Sequence, residues 1–218
     1  MASPSRRGLI VDFYGVLTDG IDAAMRAWTD LDDIEYSHFR EAMAEWFGES
    51  GAMEATFNPV HALERGELEV PDFDRQLAHR LRRRDGGPVD PEGLVGRMFS
   101  RFAHAPDMAG LVHRAHSAGL RTALLSNSWG DQYLRTGWAD MFDVVVISGE
   151  VGMRKPERRI FEHTLGKLRL RPQECVFVDD HIRNTVAAAA LGIVGVLHTS
   201  YQETAAELEA LFGIPLAS

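Results

Sequence analysis

Near the start of the chain, residues 8–18 read Gly-Leu-Ile-Val-Asp-Phe-Tyr-Gly-Val-Leu-Thr. The four residues before the acid are mostly apolar, and a short apolar run of this kind is typical of a buried parallel strand. Asp12 then stands at the carboxyl end of that strand, which is where open α/β sheets place their chemistry. The stretch therefore predicts an α/β protein with a functional carboxylate at the end of its first strand.

The composition of the chain limits the kinds of molecule that it can bind. The 218 residues are enough for one domain or for a core with an insert, and the net charge of -9 argues against binding to nucleic acid or to an anionic membrane. No apolar run approaches ~20 residues, and residues 1–7 are polar, so we expect neither a membrane span nor a signal peptide. The single cysteine, Cys175, fits a reducing compartment. We expect a cytoplasmic protein, and the composition leaves open whether it is a monomer or a homodimer.

The next part of the chain has the periodicity of helices and no convincing strand. Phe39, Met43, Trp46 and Phe47 have the spacing of one helical face. Asn58 and the proline after it predict the start of a helix over residues 60–65, which the glycine at 66 would end. We interpret residues 19–101 as an all-helical insert.

From residue 106 onward, strand-like and helical segments alternate. We predict strands over residues 121–125, 143–147, 174–178 and 194–197, with helices over 156–168, 182–191 and 203–212. Alternation of this kind predicts βαβ units and a parallel sheet with right-handed crossovers. The sequence thus predicts a Rossmann-like α/β core formed by residues 1–18 and 102–218, which is interrupted by the insert.

Polar residues follow the predicted strands at one edge of this sheet. They comprise carboxylates, a hydroxyl, an amide and, in a nearby turn, an ammonium group: Asp12, Asp179, Asp180, Ser126, Asn127 and Lys155. Carboxylates with open positions suit Mg²⁺, and a lysine beside a hydroxyl suits phosphate oxygens. An aspartate in such a site can attack phosphorus and form an aspartyl-phosphate.

These residues fall into four short motifs that resemble those of the haloacid dehalogenase (HAD) superfamily. The motifs are Asp12-x-Tyr14-Gly15-Val16-Leu17, Leu125-Ser126-Asn127, Arg154-Lys155-Pro156 and Val178-Asp179-Asp180. The order of the motifs and the helical insert after the first one also match, as in subfamily IA with a C1 cap. The resemblance implies a HAD core with a helical cap and the activity of a hydrolase.

The resemblance also implies a role for each motif residue. Asp12 would be the nucleophile, and Lys155 would assist it while holding the transferring group. Phosphate would be bound by Ser126, Asn127, Gly15 and Lys155. Mg²⁺ would be held by Asp12, Asp179, Asp180 and the backbone carbonyl of Tyr14.

Tyr14 departs from the pattern of the phosphatases in this superfamily. They carry an aspartate at that position, which protonates the leaving oxygen and later activates water. A tyrosine with a reference pKa near ~10 is a poor base at neutral pH, and acid–base catalysis is typically worth ~10²–10⁴-fold. A phosphatase with Tyr14 in this place would therefore be slow, or would take its proton from another residue, for which His181 is a candidate.

Two alternatives stay open. The pattern Asp-x-Tyr-Gly resembles the metal-independent 2-haloacid dehalogenases, although those enzymes lack two carboxylates at the fourth motif and carry an aspartate where this chain has Asn184. Asp179 and Asp180 would repel an anionic haloacid unless a cation lay between them. The other alternative is a binding or regulatory protein that lost catalysis with the second aspartate. A third branch of the superfamily cleaves carbon–phosphorus bonds through a Schiff base on a lysine of the cap. This branch is excluded, because Lys155 and Lys167 are the only lysines and neither is in the insert.

Overall fold

The structure is a computed structural model that describes residues 6–47 and 58–217. Its sheet consists of five parallel strands in the order β3-β2-β1-β4-β5. The strands are β1 (Gly8–Val11), β2 (Arg121–Ser126), β3 (Val144–Ile147), β4 (Cys175–Asp179) and β5 (Val194–Leu197). The predicted Rossmann-like parallel sheet is confirmed, and β1 lies at its centre.

Two strands extend one residue further than the sequence predicts. β2 includes Ser126, which is paired with Ile147, and β4 includes Asp179, which is paired with Leu197. The polar side chain ends the apolar run, but the backbone continues to pair with its neighbour. The backbones of both candidate site residues are consequently held by the sheet.

Ten helices surround the sheet or form the insert within the described residues. Those of the insert are α1 (Ile21–Leu31), α2 (Tyr36–Phe47), α3 (Pro59–Glu64), α4 (Val70–Arg80) and α5 (Leu94–Phe99). Those of the core are α6 (Pro106–Ser117), α7 (Ser148–Val151), α8 (Arg158–Leu168), α9 (Ile182–Ala189) and α10 (Tyr201–Phe212). No helix in residues 6–47 or 58–217 is both long and apolar enough to cross a membrane.

Successive side chains of β1 point to opposite faces of the sheet, and each face is covered by a buried apolar cluster. Leu9 and Val11 join a buried cluster with residues of α6 and α10. Ile10 points the other way and packs with Ile160 and Phe161 of α8. This is the period-2 pattern of a strand that is buried on both sides, and it fixes the position of the residue that follows β1.

The insert has its own apolar cluster, which includes Trp28, Phe73 and Leu77. Asn58 caps α3 as predicted, since its Oδ1 accepts a hydrogen bond from the backbone N–H of His61 at 3.1 Å. On α2 the predicted apolar face is wrong at Phe47, which is 39% exposed, whereas Trp46 is buried. Successive residues of an α-helix are turned by about 100°, so Phe47 lies at the edge of the face that Phe39, Ala42 and Trp46 bury.

The two connections between core and insert run side by side. Thr18 and His104 form an isolated antiparallel bridge. The N–H of Asp19 donates to the carbonyl of Ala103 at 2.8 Å, and the N–H of Ala105 donates to the carbonyl of Leu17 at 3.0 Å. The insert therefore leaves and re-enters the core at almost the same place, next to Asp12.

Candidate active site

Three carboxylates meet at the carboxyl edge of the central strands. Asp12, Asp179 and Asp180 each offer an oxygen, and these oxygens lie within 4.8 Å of one another. The backbone N–H of Asp12 donates to the carbonyl of Val178 at 2.9 Å, so the pairing of β1 with β4 continues past the strand end. Asp179 is fully buried and Asp12 is 7% exposed. The sheet thus brings together the acids that the sequence places far apart.

Lys155 joins two of these carboxylates from the loop between α7 and α8. Its Nζ lies 2.7 Å from Asp12 Oδ1 and 2.7 Å from Asp179 Oδ2, with 1% of the side chain exposed. Burial by itself would lower the pKa of Lys155, but the two carboxylates raise it above its usual value. Burial raises the pKa of Asp12, and Lys155 opposes that shift. The ammonium group is therefore charged and offsets the repulsion between the two acids.

Asn127 holds the backbone of Lys155 with both ends of its side-chain amide. Its Oδ1 accepts from the N–H of Lys155 at 2.8 Å, and its Nδ2 donates to the carbonyl of Lys155 at 3.0 Å. The sequence suggested a direct contact between Asn127 and phosphate, which stays a prediction. In the structure the amide positions the lysine, a role that the motif alone does not reveal.

Asp179 and Asp180 differ in their partners. Asp179 Oδ1 accepts from the N–H of His181 at 2.8 Å and from Asn184 Nδ2 at 2.9 Å, while its Oδ2 faces Lys155. Asp180 Oδ1 is buried and has no hydrogen-bond partner among the described residues. Asn184 was considered only as a departure from dehalogenases, yet it orients the carboxylate of Asp179.

The unpaired oxygen of Asp180 provides a test of whether the site suits a metal. A buried oxygen anion without a partner is costly, and hard oxygen donors of this kind are the ligands of Mg²⁺. Gly15 lies against this carboxylate with a left-handed φ of 79°, and a side chain there would collide with Asp180. The donor set therefore fits a divalent cation.

A groove of about 420 Å³ opens beside Asp180. Its walls include Gly15 and Thr18, which follow β1, and His198 and Thr199, which follow β5. Of the three clustered carboxylates, Asp180 lines this space, which is large enough for a small ligand or several waters.

Tyr14 lies between the core and the insert. Its ring centroid is 4.7 Å from that of Phe99 and 5.0 Å from that of Phe102. Its hydroxyl donates a long hydrogen bond of 3.5 Å to the carbonyl of Gln132. Burial, followed by the charges of Asp12 and Asp131, raises its pKa above the usual value. Tyr14 is a protonated packing residue here and is less able to act as a base than a free tyrosine.

A buried ion pair that the sequence reasoning missed connects the insert to the core. Glu64 of α3 pairs with Arg154, the neighbour of Lys155, and both side chains are nearly inaccessible. Trp129 Nε1 donates to Glu64 Oε1 at 3.5 Å. Burial raises the pKa of Glu64, and Arg154 opposes that shift. Glu64 looks like an ordinary helical acid in the sequence, and its partner is 90 residues away.

His181, the candidate for proton transfer, directly follows Asp180 in the sequence. Its backbone N–H donates to Asp179 Oδ1 at 2.8 Å, whereas the residue is exposed at the start of α9. The structure therefore places His181 beside the carboxylate cluster, and its role in proton transfer stays a prediction.

Sequence comparisons identify related proteins. The profile of the haloacid dehalogenase-like hydrolases matches residues 7–192. The chain is 30% identical over 157 residues to a sesquiterpene phosphatase of Aspergillus oryzae, covering 69% of this chain and 77% of that protein. Three other curated relatives are longer proteins, of which the matched stretches cover only 11%, 20% and 32%.

Solved structures share the fold at low sequence identity. One is a HAD family enzyme of Bacteroides thetaiotaomicron in complex with magnesium and inorganic phosphate, with a TM-score of 0.64 and 19% identity, covering 89% of this chain and 94% of that one. Another is a dehalogenase with an intermediate complex, with a TM-score of 0.65 and 20% identity, covering 96% and 98%. The likeness to these structures shows that the chain has the same fold.

Proposed function

The chain belongs to the haloacid dehalogenase-like hydrolase family, and on that basis we propose that it is a Mg²⁺-dependent phosphatase of a small phosphorylated metabolite. The observation that carries the proposal is that Asp12 contacts Lys155 and also lies in a cluster with Asp179 and Asp180, whose Oδ1 is buried without a hydrogen-bond partner among the described residues. A relative with matching coverage is named as a phosphatase. The proposed reaction is hydrolysis of a phosphomonoester through an aspartyl-phosphate on Asp12.

Asp12 is the proposed nucleophile. Its Oδ1 accepts from the N–H of Phe13 at 2.7 Å and faces Lys155, so Oδ2 is the oxygen assigned to attack phosphorus. The new bond joins this oxygen to phosphorus as the bond to the substrate alcohol breaks. Water then attacks the phosphorus of the aspartyl-phosphate, which releases inorganic phosphate and restores the carboxylate.

Lys155 and Ser126 are proposed to hold the phosphoryl oxygens, with the backbone of Gly15 nearby. Asp12, Asp180, Asp179 and the carbonyl of Tyr14 are the proposed Mg²⁺ ligands. Bound Mg²⁺ would supply charge neutralisation at the phosphoryl group. The phenol of Tyr14 is a poor substitute for an acid–base aspartate, because its pKa is raised. We therefore propose a low rate in which solvent water supplies the proton of the leaving group.

A broad panel of phosphomonoesters with Mg²⁺ tests the proposal. We expect phosphate release from at least one small phosphate ester, and loss of that release after treatment with EDTA and its return with added Mg²⁺. If no member of the panel yields phosphate above the level of buffer, the proposed activity is wrong.

Tyr14 specifically favours a second candidate, metal-independent 2-haloacid dehalogenation. The three clustered carboxylates weigh against dehalogenation. They would repel an anionic haloacid, and Lys155 is the one lysine beside them in the part of the chain that the structure describes. Halide release from 2-chloropropionate in the presence of EDTA would support dehalogenation. A protein that shows neither activity, but binds a phosphate ester, would be the catalytically impaired binding protein.

The proposed location is the cytoplasm, with a small molecule as partner. Cys175 supports it as a buried, unpaired thiol whose pKa burial raises to about 12, since such a thiol is inert and suited to a reducing compartment.

A further inference from the structure

Ser126 has a partner that none of the four motifs contains. The hydroxyl of Tyr133 lies 2.8 Å from Ser126 Oγ, and Ser126 is fully buried. We infer that Tyr133 is a positioning residue that orients the Ser126 hydroxyl toward the phosphoryl group. This inference rests on the proposed function, in which Ser126 binds phosphate, and assigns a further residue to the same site.

The direction of the hydrogen bond follows from the chemistry of the two groups. A phenol is a stronger donor than an aliphatic hydroxyl, and its oxygen is a weaker acceptor. Tyr133 therefore donates to Ser126 Oγ, which leaves the Ser126 proton free to point at a ligand. A hydroxyl that accepts one hydrogen bond also becomes a better donor in the next.

The position of the phenol is fixed by packing. The ring of Tyr133 lies 5.1 Å from that of Phe13, 5.6 Å from that of Trp138 and 5.6 Å from that of Tyr14. Phe13 directly follows Asp12, so the same ring cluster supports both the nucleophile and the phosphate-binding hydroxyl. Burial keeps the phenol protonated by raising its pKa.

The competing orientation of Ser126 explains why a positioning group is needed. Ser126 Oγ can also donate to the carbonyl of its neighbour, Asn127, at a long distance of 3.4 Å. In that orientation its proton is directed at the backbone and does not face a ligand. With Tyr133 as the donor, the Ser126 proton is not used by Tyr133, and it can turn from the long contact with Asn127 to a phosphoryl oxygen when one is bound.

A double-mutant cycle tests the inference. We would prepare Tyr133→Phe, Ser126→Ala and the double variant, and measure the dissociation constant of inorganic phosphate with Mg²⁺ by calorimetry and kcat/KM by phosphate release. Tyr133→Phe keeps the ring contacts, and urea unfolding checks that the fold is kept. Tyr36→Phe is the matched control, because its hydroxyl contacts Asp22 on the insert, away from the site.

We expect Tyr133→Phe to weaken phosphate binding and lower kcat/KM by about 5- to 10-fold. In the Ser126→Ala background, Tyr133→Phe should have no further effect, because the group that it orients is gone. Equal losses in both backgrounds, or no loss in either, would overturn the inference. A wild-type protein that binds phosphate without hydrolysing any ester would refute the phosphatase, and the binding cycle would still decide the role of Tyr133. A wild-type protein that does not bind phosphate would refute both.

Discussion

Lys155 Nζ lies 2.7 Å from Asp12 Oδ1, and hardly any of the lysine side chain is exposed. The same ammonium group is equally close to Asp179. The proposed nucleophile is thus held in place by a buried cation that also compensates a second acid. Removal of either charge has consequences for stability as well as for catalysis, and the two effects can be measured separately.

Asp12→Asn should abolish phosphate release. The amide cannot form the aspartyl-phosphate, so we expect kcat to fall by at least about 10³-fold. Release from the best ester of the panel is the measurement. Asp140→Asn, on an exposed aspartate of the core, is the matched control and should keep the wild-type rate. An Asp12→Asn protein with substantial activity would exclude Asp12 as the nucleophile.

Lys155→Met should destabilise the fold. The methionine removes the cation between Asp12 and Asp179, and breaking a buried ion pair typically costs ~3–5 kcal/mol. The free energy of unfolding in urea is the measurement. Lys167→Met changes an exposed lysine of α8 and should alter stability by less than ~0.5 kcal/mol. Equal stabilities of the two variants would contradict the buried ion pair.

Tyr14→Asp should increase phosphate release. It places a carboxylate where related phosphatases have their acid–base group, and we expect a gain of about 10²-fold in kcat. Tyr14→Asn is the matched control, since it removes the same ring from Phe99 and Phe102 without adding a proton-transfer group. A gain that both variants share would point to opening of the site, and absence of a gain would favour a binding role.

Loss of Glu64 should weaken the connection between insert and core. Glu64→Gln leaves Arg154 buried without its counter-ion, which should lower the free energy of unfolding by ~3–5 kcal/mol. Replacement of both residues by methionine should restore most of that loss. Glu67→Gln breaks the more exposed pair with Arg65 and should cost less than ~1 kcal/mol. A Glu64 variant no weaker than Glu67→Gln would show that the buried pair contributes little.

His61 should make stability depend on pH. Burial, then the charges of Arg154 and Arg65, lowers its pKa to about 4, against the smaller opposing effect of Glu157. The unfolded chain takes up a proton near the reference pKa of ~6.5, whereas the folded protein resists protonation, so stability falls as the pH drops from ~6.5 toward ~4.

His61→Gln should remove part of this dependence. We expect the variant to lose less stability than wild type between about pH 7.5 and about pH 5 in urea unfolding. His113→Gln, at an exposed position, should retain the wild-type dependence. Parallel curves for all three proteins would show that His61 is not the responsible group.

Local sequence patterns were sufficient to predict the parallel sheet and the acidic residues at its edge. An apolar run that ends in a polar residue marks a strand end, so the sequence alone predicts that Asp12, Ser126 and Asp179 lie at one edge of the sheet. The parallel direction of the strands follows from the alternation of strands and helices along the chain, whereas the order of the strands in the sheet was not predicted. These predictions depended on residues that are close in sequence.

The contacts between distant segments could not be predicted in the same way. Tyr133 reaches Ser126 because an irregular loop folds back over β2, and Glu64 reaches Arg154 because α3 docks on the core. Neither side chain carries a periodic signal, since a polar residue in a loop or on a short helix is usually solvated. Phe47 is a residue that the pattern predicts to be buried and that is exposed. Helical spacing places it on the apolar side of α2 but does not show where the buried face ends.

The bridge between Thr18 and His104 has an evolutionary consequence. Since the two connecting strands lie side by side, the helical segment between them can be replaced by another of different length without moving the ends that the core must present. At such a joint, an insert of another length could evolve while the carboxylates at the edge of the sheet keep their positions.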